Sequence, residues 1–86
     1  MPTISRFYGI TIRMYPRDHA PPHFHAWYGE YRAQIEIATL SVLQGRLPRR
    51  ALALVLEWAA KHRKELRDNW LRSERNLPLL PVVPLK

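Results

Sequence analysis

The chain has 86 residues, 47% of them hydrophobic and 24% charged, which is the composition of a folded globular domain and excludes a disordered chain. One domain of this size buries only about 60 to 65% of the surface that its unfolded chain exposes, which argues against a deep internal pocket. Fourteen Lys and Arg residues outnumber seven Asp and Glu residues, and the net charge of +7 favours a nucleic acid or an acidic protein as partner over a plain solvated surface.

The absence of cysteine excludes a disulfide framework, thiolate chemistry and a cysteine-based zinc site. Residues 1–6 lack the apolar core of a signal peptide, and no run approaches the roughly 18 apolar residues of a membrane span. The sequence therefore predicts a cytoplasmic protein that does not use the membrane.

The first clear element is a half-buried strand over residues 10–15, where Ile10, Ile12 and Met14 alternate with polar residues. A weaker signal over residues 3–7 indicates an earlier short strand. Residues 16–22 are expected to form a loop, because the consecutive prolines in it remove two backbone donors.

A β-hairpin is predicted over residues 23–37, with Gly29 and Glu30 as its two-residue turn. This turn length fixes the register and sorts the side chains onto two faces. The core face pairs Tyr28 with Tyr31, Ala26 with Ala33 and Phe24 with Ile35. The opposite face, expected to be polar and open, pairs Trp27 with Arg32, His25 with Gln34 and His23 with Glu36.

Residues 38–47 carry little pattern and predict a short edge strand or a turn. Pro48 suits the first helical position, and one long helix is predicted from there to about Arg72. Its apolar stripe consists of Leu52, Val55, Leu56, Ala59, Leu66 and Trp70. Arg63 falls inside this stripe, so it must lie at the domain edge or mark a bend, and His62 at the margin is expected to be structural.

These elements predict an α+β fold: a three- to four-stranded antiparallel sheet with one long helix packed on one face. Residues 1–76 are expected to form a single domain. Residues 77–86 are rich in proline and in apolar side chains, which predicts an extended tail over this domain or over a partner.

The strongest candidate site is the stretch of residues 17–26, which holds three of the four histidines and an aspartate. His23 and His25 lie on one face of the predicted strand and suit the roles of acid and base in RNA cleavage. His19, and Glu36 as an orienting carboxylate, complete the candidate catalytic set. The candidate phosphate ligands and base-stacking residues of this face are Arg13, Arg32, Tyr15 and Trp27. Trp27 and Arg32 equally fit a plain cation–π pair.

A metal site is an alternative interpretation of the same stretch. His23 and His25 are two residues apart on a strand, so they could bind a divalent ion together with His19, Asp18 or Glu36. Without a third ligand at a diagnostic spacing, the pattern describes surface histidines beside a Pro-Pro turn just as well. The sequence indicates no other cofactor, because its three glycines form no phosphate-binding loop.

A third candidate is a basic surface at the start of the predicted helix. Arg46, Arg49 and Arg50 surround the positive end of the helix dipole, where cations have no stabilising role. Cations near the other end complement the dipole and need no functional explanation. The three arginines are therefore candidates for contacting phosphate or acidic side chains.

The chain also resembles a known family. The motifs that carry the resemblance are Met1-Pro2-Thr3-Ile4, Phe7-Tyr8-Gly9-Ile10, Met14-Tyr15, Asp18-His19, Pro21-Pro22-His23-Phe24-His25, Tyr28-Gly29-Glu30-Tyr31, Leu47-Pro48-Arg49-Arg50-Ala51, Glu57-Trp58 and His62. Through them, and to about Trp70, the chain is similar to the small bacterial proteins of domain of unknown function family 4160. The resemblance implies a gene context, the small basic half of a toxin–antitoxin-like pair, and brings no catalytic residues with it.

The leading hypothesis is a toxin-like component of a two-gene module that acts on RNA through the histidine face and is neutralised by an acidic protein from the neighbouring gene. The alternatives are a non-enzymatic module that binds protein or nucleic acid, and a histidine-based binder of a divalent metal. The sequence leaves open whether the protein is an enzyme and in which oligomeric state it acts.

Overall fold

The computed structural model describes residues 3–86; Met1 and Pro2, which belong to the predicted domain and to the family resemblance, lie outside the described residues. The elements in chain order are β1 (Thr3–Phe7), β2 (Ile10–Arg13), β3 (His23–Tyr28), β4 (Tyr31–Glu36), β5 (Val42–Arg46), α1 (Arg49–Lys61) and α2 (Arg63–Glu74). The five strands form one antiparallel sheet in the order β1-β2-β3-β4-β5. Within this range, no helix is long and apolar enough to cross a membrane.

The α+β class is confirmed, but the sheet has five strands where three or four were predicted. The two segments with weak sequence patterns, β1 and β5, both pair with a neighbouring strand. All five residues of β5 are exposed, so no buried face imposes the alternation by which a strand is recognised in a sequence.

The register of the central hairpin is confirmed. Tyr28 lies opposite Tyr31 and His23 lies opposite Glu36, with every pair between them as predicted. Gly29 has a φ of +56°, the left-handed conformation that tight hairpin turns require and that glycine adopts at no steric cost. The turn therefore sets which side chains of β3 face the core.

The core lies between one face of the sheet and the helices. The ring of Trp58 in α1 is 5.3 Å from that of Phe7 in β1 and 6.0 Å from that of Phe24 in β3. Phe24 and Trp58 are fully buried, as are Val55 of α1 and Leu66 of α2. The apolar stripe expected of the helical segment therefore does cover the predicted core face.

The prediction of one long helix is wrong, because the helical segment breaks at His62. There the backbone has φ −129° and ψ 25°, and the N–H of His62 donates to the carbonyl of Ala59. A straight helix over residues 49–74 would be about 39 Å long, whereas the longest dimension of the molecule is 33 Å. The break turns α2 back over the sheet and leaves Arg63 exposed at the bend.

The proline-rich segment of residues 77–86 has no helix or strand, and hydrogen bonds to its backbone bind it to the domain. The side chain of Asn69 in α2 both donates to and accepts from the backbone of Leu80, at 2.9 and 2.8 Å. The indole N–H of Trp58 donates to the carbonyl of Val83, and the N–H of Val82 donates to Ile4 in β1. These bonds satisfy buried polar groups that an apolar tail alone would leave unpaired.

Gly45 of β5 is required by a close approach of two backbones. Its φ is +77°, and a Cβ there would lie 2.1 Å from the carbonyl oxygen of Arg32. Gly29 also has a positive φ, but no atom lies within 4 Å of a Cβ built on it. A side chain at Gly29 would therefore cause conformational strain alone, whereas a side chain at Gly45 would cause strain and steric overlap.

We expect Gly45→Ala to lower the free energy of unfolding by about 3 kcal/mol and Gly29→Ala by about 1 kcal/mol, because only the first adds a clash to the left-handed strain. Urea unfolding monitored by circular dichroism measures both. Equal losses in the two variants would contradict the close approach of β4 and β5.

Candidate metal centre

The loop between β2 and β3 brings Asp18 onto two histidines of β3. Oδ2 of Asp18 lies 2.9 Å from Nε2 of His25 and 3.1 Å from Nε2 of His23. The three residues, named here the Asp18 cluster, are thus joined at a single carboxylate oxygen. The two histidines share a side of β3 because they are two residues apart on a strand.

His23 is buried, which corrects the expectation that the histidines stand on an open sheet face. Only 1% of His23 is exposed, and its ring centre is 5.3 Å from that of Trp70 in α2. His25 is partly covered, with the ring of Tyr15 meeting it edge-on at 4.7 Å. The expectation failed because the break at His62 brings the second helix to this end of the sheet.

A carbonyl group fixes the ring of His23. Its Nδ1 lies 2.7 Å from the carbonyl oxygen of Pro21, which can only accept a hydrogen bond, so Nδ1 carries the proton. A neutral ring then turns the lone pair of Nε2 towards the carboxylate of Asp18, which is also an acceptor. The contact needs a positive charge between Nε2 and Asp18, supplied either by a second proton on the ring or by a metal ion.

The carboxyl of Asp18 is held in its charged form. Burial, the largest single influence, raises the pKa of Asp18. The hydrogen bond with His25, the backbone N–H of His19 and the nearby charges of His23 and His25 together outweigh burial and hold that pKa below its ordinary value. Asp18 is therefore an anionic ligand at neutral pH.

The other two residues of the candidate catalytic set lie outside the cluster. The side chain of His19 is 74% exposed, and its Nδ1 is 3.0 Å from Oδ1 of Asp18. His23 and His25 contact the other carboxylate oxygen, Oδ2. Glu36 lies opposite His23 in the sheet, but its carboxylate accepts a hydrogen bond from Thr39. The carboxylate that orients the histidines is Asp18.

The Asp18 cluster has the composition and size of a metal site. Each residue offers one ligand atom, and the three atoms lie within 4.8 Å of one another. Two ligands of a tetrahedral ion with bonds of about 2.1 Å are roughly 3.4 Å apart, so the contacts of 2.9 and 3.1 Å between Asp18 and the two histidines would lengthen slightly around an ion. Two imidazoles and one carboxylate leave coordination positions free, as in catalytic sites and unlike closed structural ones.

The candidate phosphate ligands surround Trp27 on the same side of the sheet. The guanidinium of Arg13 lies 4.8 Å from the centre of the indole ring, and that of Arg32 lies 4.6 Å from it. Because β2 and β4 flank β3 on opposite sides, the two groups approach the ring from opposite directions. Trp27 thus holds two cations, and its faces are not free to stack on a base.

The three arginines near the start of α1 do not lie together, because Arg46 is the cross-strand partner of Arg32. Arg46 ends β5 with its guanidinium 5.5 Å from the ring of Tyr31, and Arg49 and Arg50 are exposed in the first turn of α1. His62 is structural, as expected: its Nδ1 pairs with Glu65 at 2.6 Å. Arg50, at the start of α1, lies instead with Tyr8 and Tyr28, away from the histidines.

Sequence reasoning named Asp18 only as one possible metal ligand. It did not name Gln44, which lines a cleft next to His25. Asp18 lies five residues before His23, and the Pro-Pro turn between them is the signal that the loop doubles back. Gln44 pairs with Gln34 across β4 and β5, which the pattern of residues 38–47 does not predict.

The fold and the Asp18 cluster define a small basic α+β protein with a histidine–carboxylate centre. The chain belongs to the family described as Domain of unknown function (DUF4160), whose model matches residues 9–71, more than half of the chain. No curated protein and no solved structure matches it. The matched region contains all three residues of the Asp18 cluster, and the family description states no activity, so function has to be argued from the site.

Alanine substitution of the three histidines should destabilise the protein in the order of their burial. We expect His23→Ala to cost about 2–4 kcal/mol, because it leaves a cavity against Trp70, and the exposed His19→Ala to cost less than about 0.5 kcal/mol. Urea unfolding in the presence of a chelator measures the difference without any contribution from metal. A small loss in His23→Ala would contradict its position beneath α2.

Proposed function

We propose that the protein binds one divalent transition-metal ion through Asp18, His23 and His25 and uses it in a hydrolytic reaction. The observation that carries the proposal is the ring of His23, whose Nδ1 donates to the carbonyl of Pro21 while Nε2 points at Asp18. Histidines that bind metals have this arrangement, because the second hydrogen bond fixes the tautomer and the ring orientation. A metal ion also supplies the positive charge that this contact needs.

The ligand set suggests the chemistry. Nitrogen and carboxylate ligands in this ratio suit zinc, manganese or iron(II), and an ion with free coordination positions takes up water and lowers its pKa towards neutrality. Asp18 and the histidines would hold the ion at the start of β3, the central strand, with His19 exposed beside them on the second oxygen of Asp18. That position would leave His19 in contact with both Asp18 and solvent.

A toxin-like role in a two-gene module, with RNA as the target, is compatible with such a centre. Activated water can cleave a phosphodiester: an oxygen–phosphorus bond forms, the ester oxygen–phosphorus bond breaks, and the leaving oxygen takes a proton. The net charge of +7 supports an anionic substrate.

Removal of one ligand should abolish metal binding. We expect untagged protein to bind one Zn²⁺ or Mn²⁺ per chain, and Asp18→Asn or His25→Gln to weaken the affinity at least 100-fold, more than the loss of an outer-shell partner causes. Isothermal titration calorimetry measures this. His62→Gln is the matched control and should bind the ion as the unmodified protein does; equal binding by all variants would disprove the centre.

A second candidate function is protein binding at a groove beside the start of α1, named here the basic groove. Its walls, enclosing about 270 Å³, are formed by Tyr8, Ile10, Tyr28, Pro48, Arg50, Ala51 and Leu54. Tyr8 is exposed, Arg49 is adjacent, and the first turn of α1 holds no acidic residue. An apolar floor with a cationic rim is complementary to an acidic protein segment with an apolar anchor, which fits a partner from the same module.

The two functions predict opposite results in cells and in solution. If the metal centre acts, Asp18→Asn should relieve growth inhibition and RNA loss during induced expression, while Arg49→Glu with Arg50→Glu should not. If the protein only docks, the arginine double variant should lose binding to a poly-glutamate peptide and Asp18→Asn should be silent. Growth curves, RNA gels and calorimetry distinguish the two outcomes.

A further inference from the structure

A cleft opens on the polar side of the sheet next to the Asp18 cluster. It encloses about 440 Å³, the size range of small-molecule sites. The residues that line this polar cleft are Tyr15, His25, Trp27, Arg32, Ala33, Gln34, Gln44 and Gly45. His25 belongs both to the Asp18 cluster and to the wall of the cleft, so a molecule bound there lies beside the proposed metal.

One cation, Arg32, lines the cleft, and none of the lining residues is acidic. Arg13 and Arg32 are held against Trp27, and within residues 3–86 neither guanidinium has an acidic partner within salt-bridge distance. Nε of Arg13 and the indole N–H of Trp27 are buried donors for which the described part of the chain offers no acceptor. The fixed positive charge of Arg32, with no acidic partner, favours an anionic ligand such as a phosphate.

The opposite wall carries two amides. Gln34 and Gln44 are direct cross-strand neighbours of β4 and β5. Both line the cleft, and their side chains form no hydrogen bond with any of residues 3–86 in the structure. A pair of amides offers donors and acceptors together, which is the pattern that the edge of a nucleobase presents.

We propose that the polar cleft is the substrate site of the metal centre and takes one unpaired nucleotide of a single-stranded nucleic acid. The phosphate binds Arg32, the base edge binds Gln34 and Gln44, and the adjoining phosphodiester then lies next to His25. This assignment rests on the proposed metal centre for its chemistry, but the binding itself uses other residues. A paired base is excluded, because its hydrogen-bonding edge is already occupied by its partner.

The binding test uses fluorescence anisotropy of labelled ten-nucleotide RNA, the same sequence as DNA, and an RNA duplex, with metal-free and with Mn²⁺-loaded full-length protein. Arg32→Gln should weaken single-strand binding about 10-fold and reduce its salt dependence by about one ion, because it removes one phosphate contact. Arg67→Gln, an exposed residue of α2 with the same change of charge, should stay within about twofold. Gln34→Ala with Gln44→Ala should weaken binding without a change of salt dependence.

Loss of affinity that is equal in Arg32→Gln and Arg67→Gln, preferred binding of the duplex, or no binding of any oligonucleotide would overturn the cleft assignment. Tighter binding of RNA than of DNA identifies RNA as the ligand of the cleft. Equal binding shows that the cleft accepts single-stranded RNA and DNA alike. The two proposals fail separately. A protein that binds Mn²⁺ but no oligonucleotide retains the metal centre and loses the cleft, whereas a protein that binds the oligonucleotide but no Mn²⁺ retains the cleft and loses the metal centre.

Discussion

The contact between one oxygen of Asp18 and two histidine rings is the constraint on which the candidate site depends. It requires that the loop after β2 returns to β3, that Pro21 places its carbonyl against Nδ1 of His23, and that Trp70 closes over the ring. The first two features belong to the loop between β2 and β3, and the third comes from α2 near the other end of the chain. The contact is therefore a product of the whole fold, although its three residues lie within eight positions of the sequence.

Such a cluster is a poor way to stabilise a small domain. Taking a carboxylate and an imidazole out of water costs free energy that apolar side chains of the same volume would not cost, and an 86-residue chain has little core with which to offset it. Buried polar groups at the edge of a cleft, with a carboxyl pKa moved away from its ordinary value, are instead typical of sites that act on a ligand.

The two sides of the sheet have different roles. One side, with Phe24 and Ile35, is covered by the helices and provides the stability. The other side keeps Trp27 and its two guanidinium groups near solvent, and only the end at His23 is covered by α2. The basic groove lies on the core side, where Ile10 and Tyr28 meet the start of α1. This separation allows a substrate and a protein partner to bind at different surfaces.

The sequence by itself determined the features that depend on neighbouring residues. Alternation and the Gly29 turn determine the hairpin register and hence the shared face of His23 and His25, because side chains of a strand alternate and the turn length fixes the pairing. The register also placed Arg32 next to Trp27. Arg63, a charged residue within the apolar stripe, indicated either the domain edge or a bend, and the helix does break at His62. Three predictions were wrong because they depended on contacts between distant segments. These were the open face, the orienting role of Glu36 and the single long helix. Only the tertiary structure decided that His23 is buried and that Asp18 is its partner, because both follow from where a loop and a broken helix fold back onto the sheet.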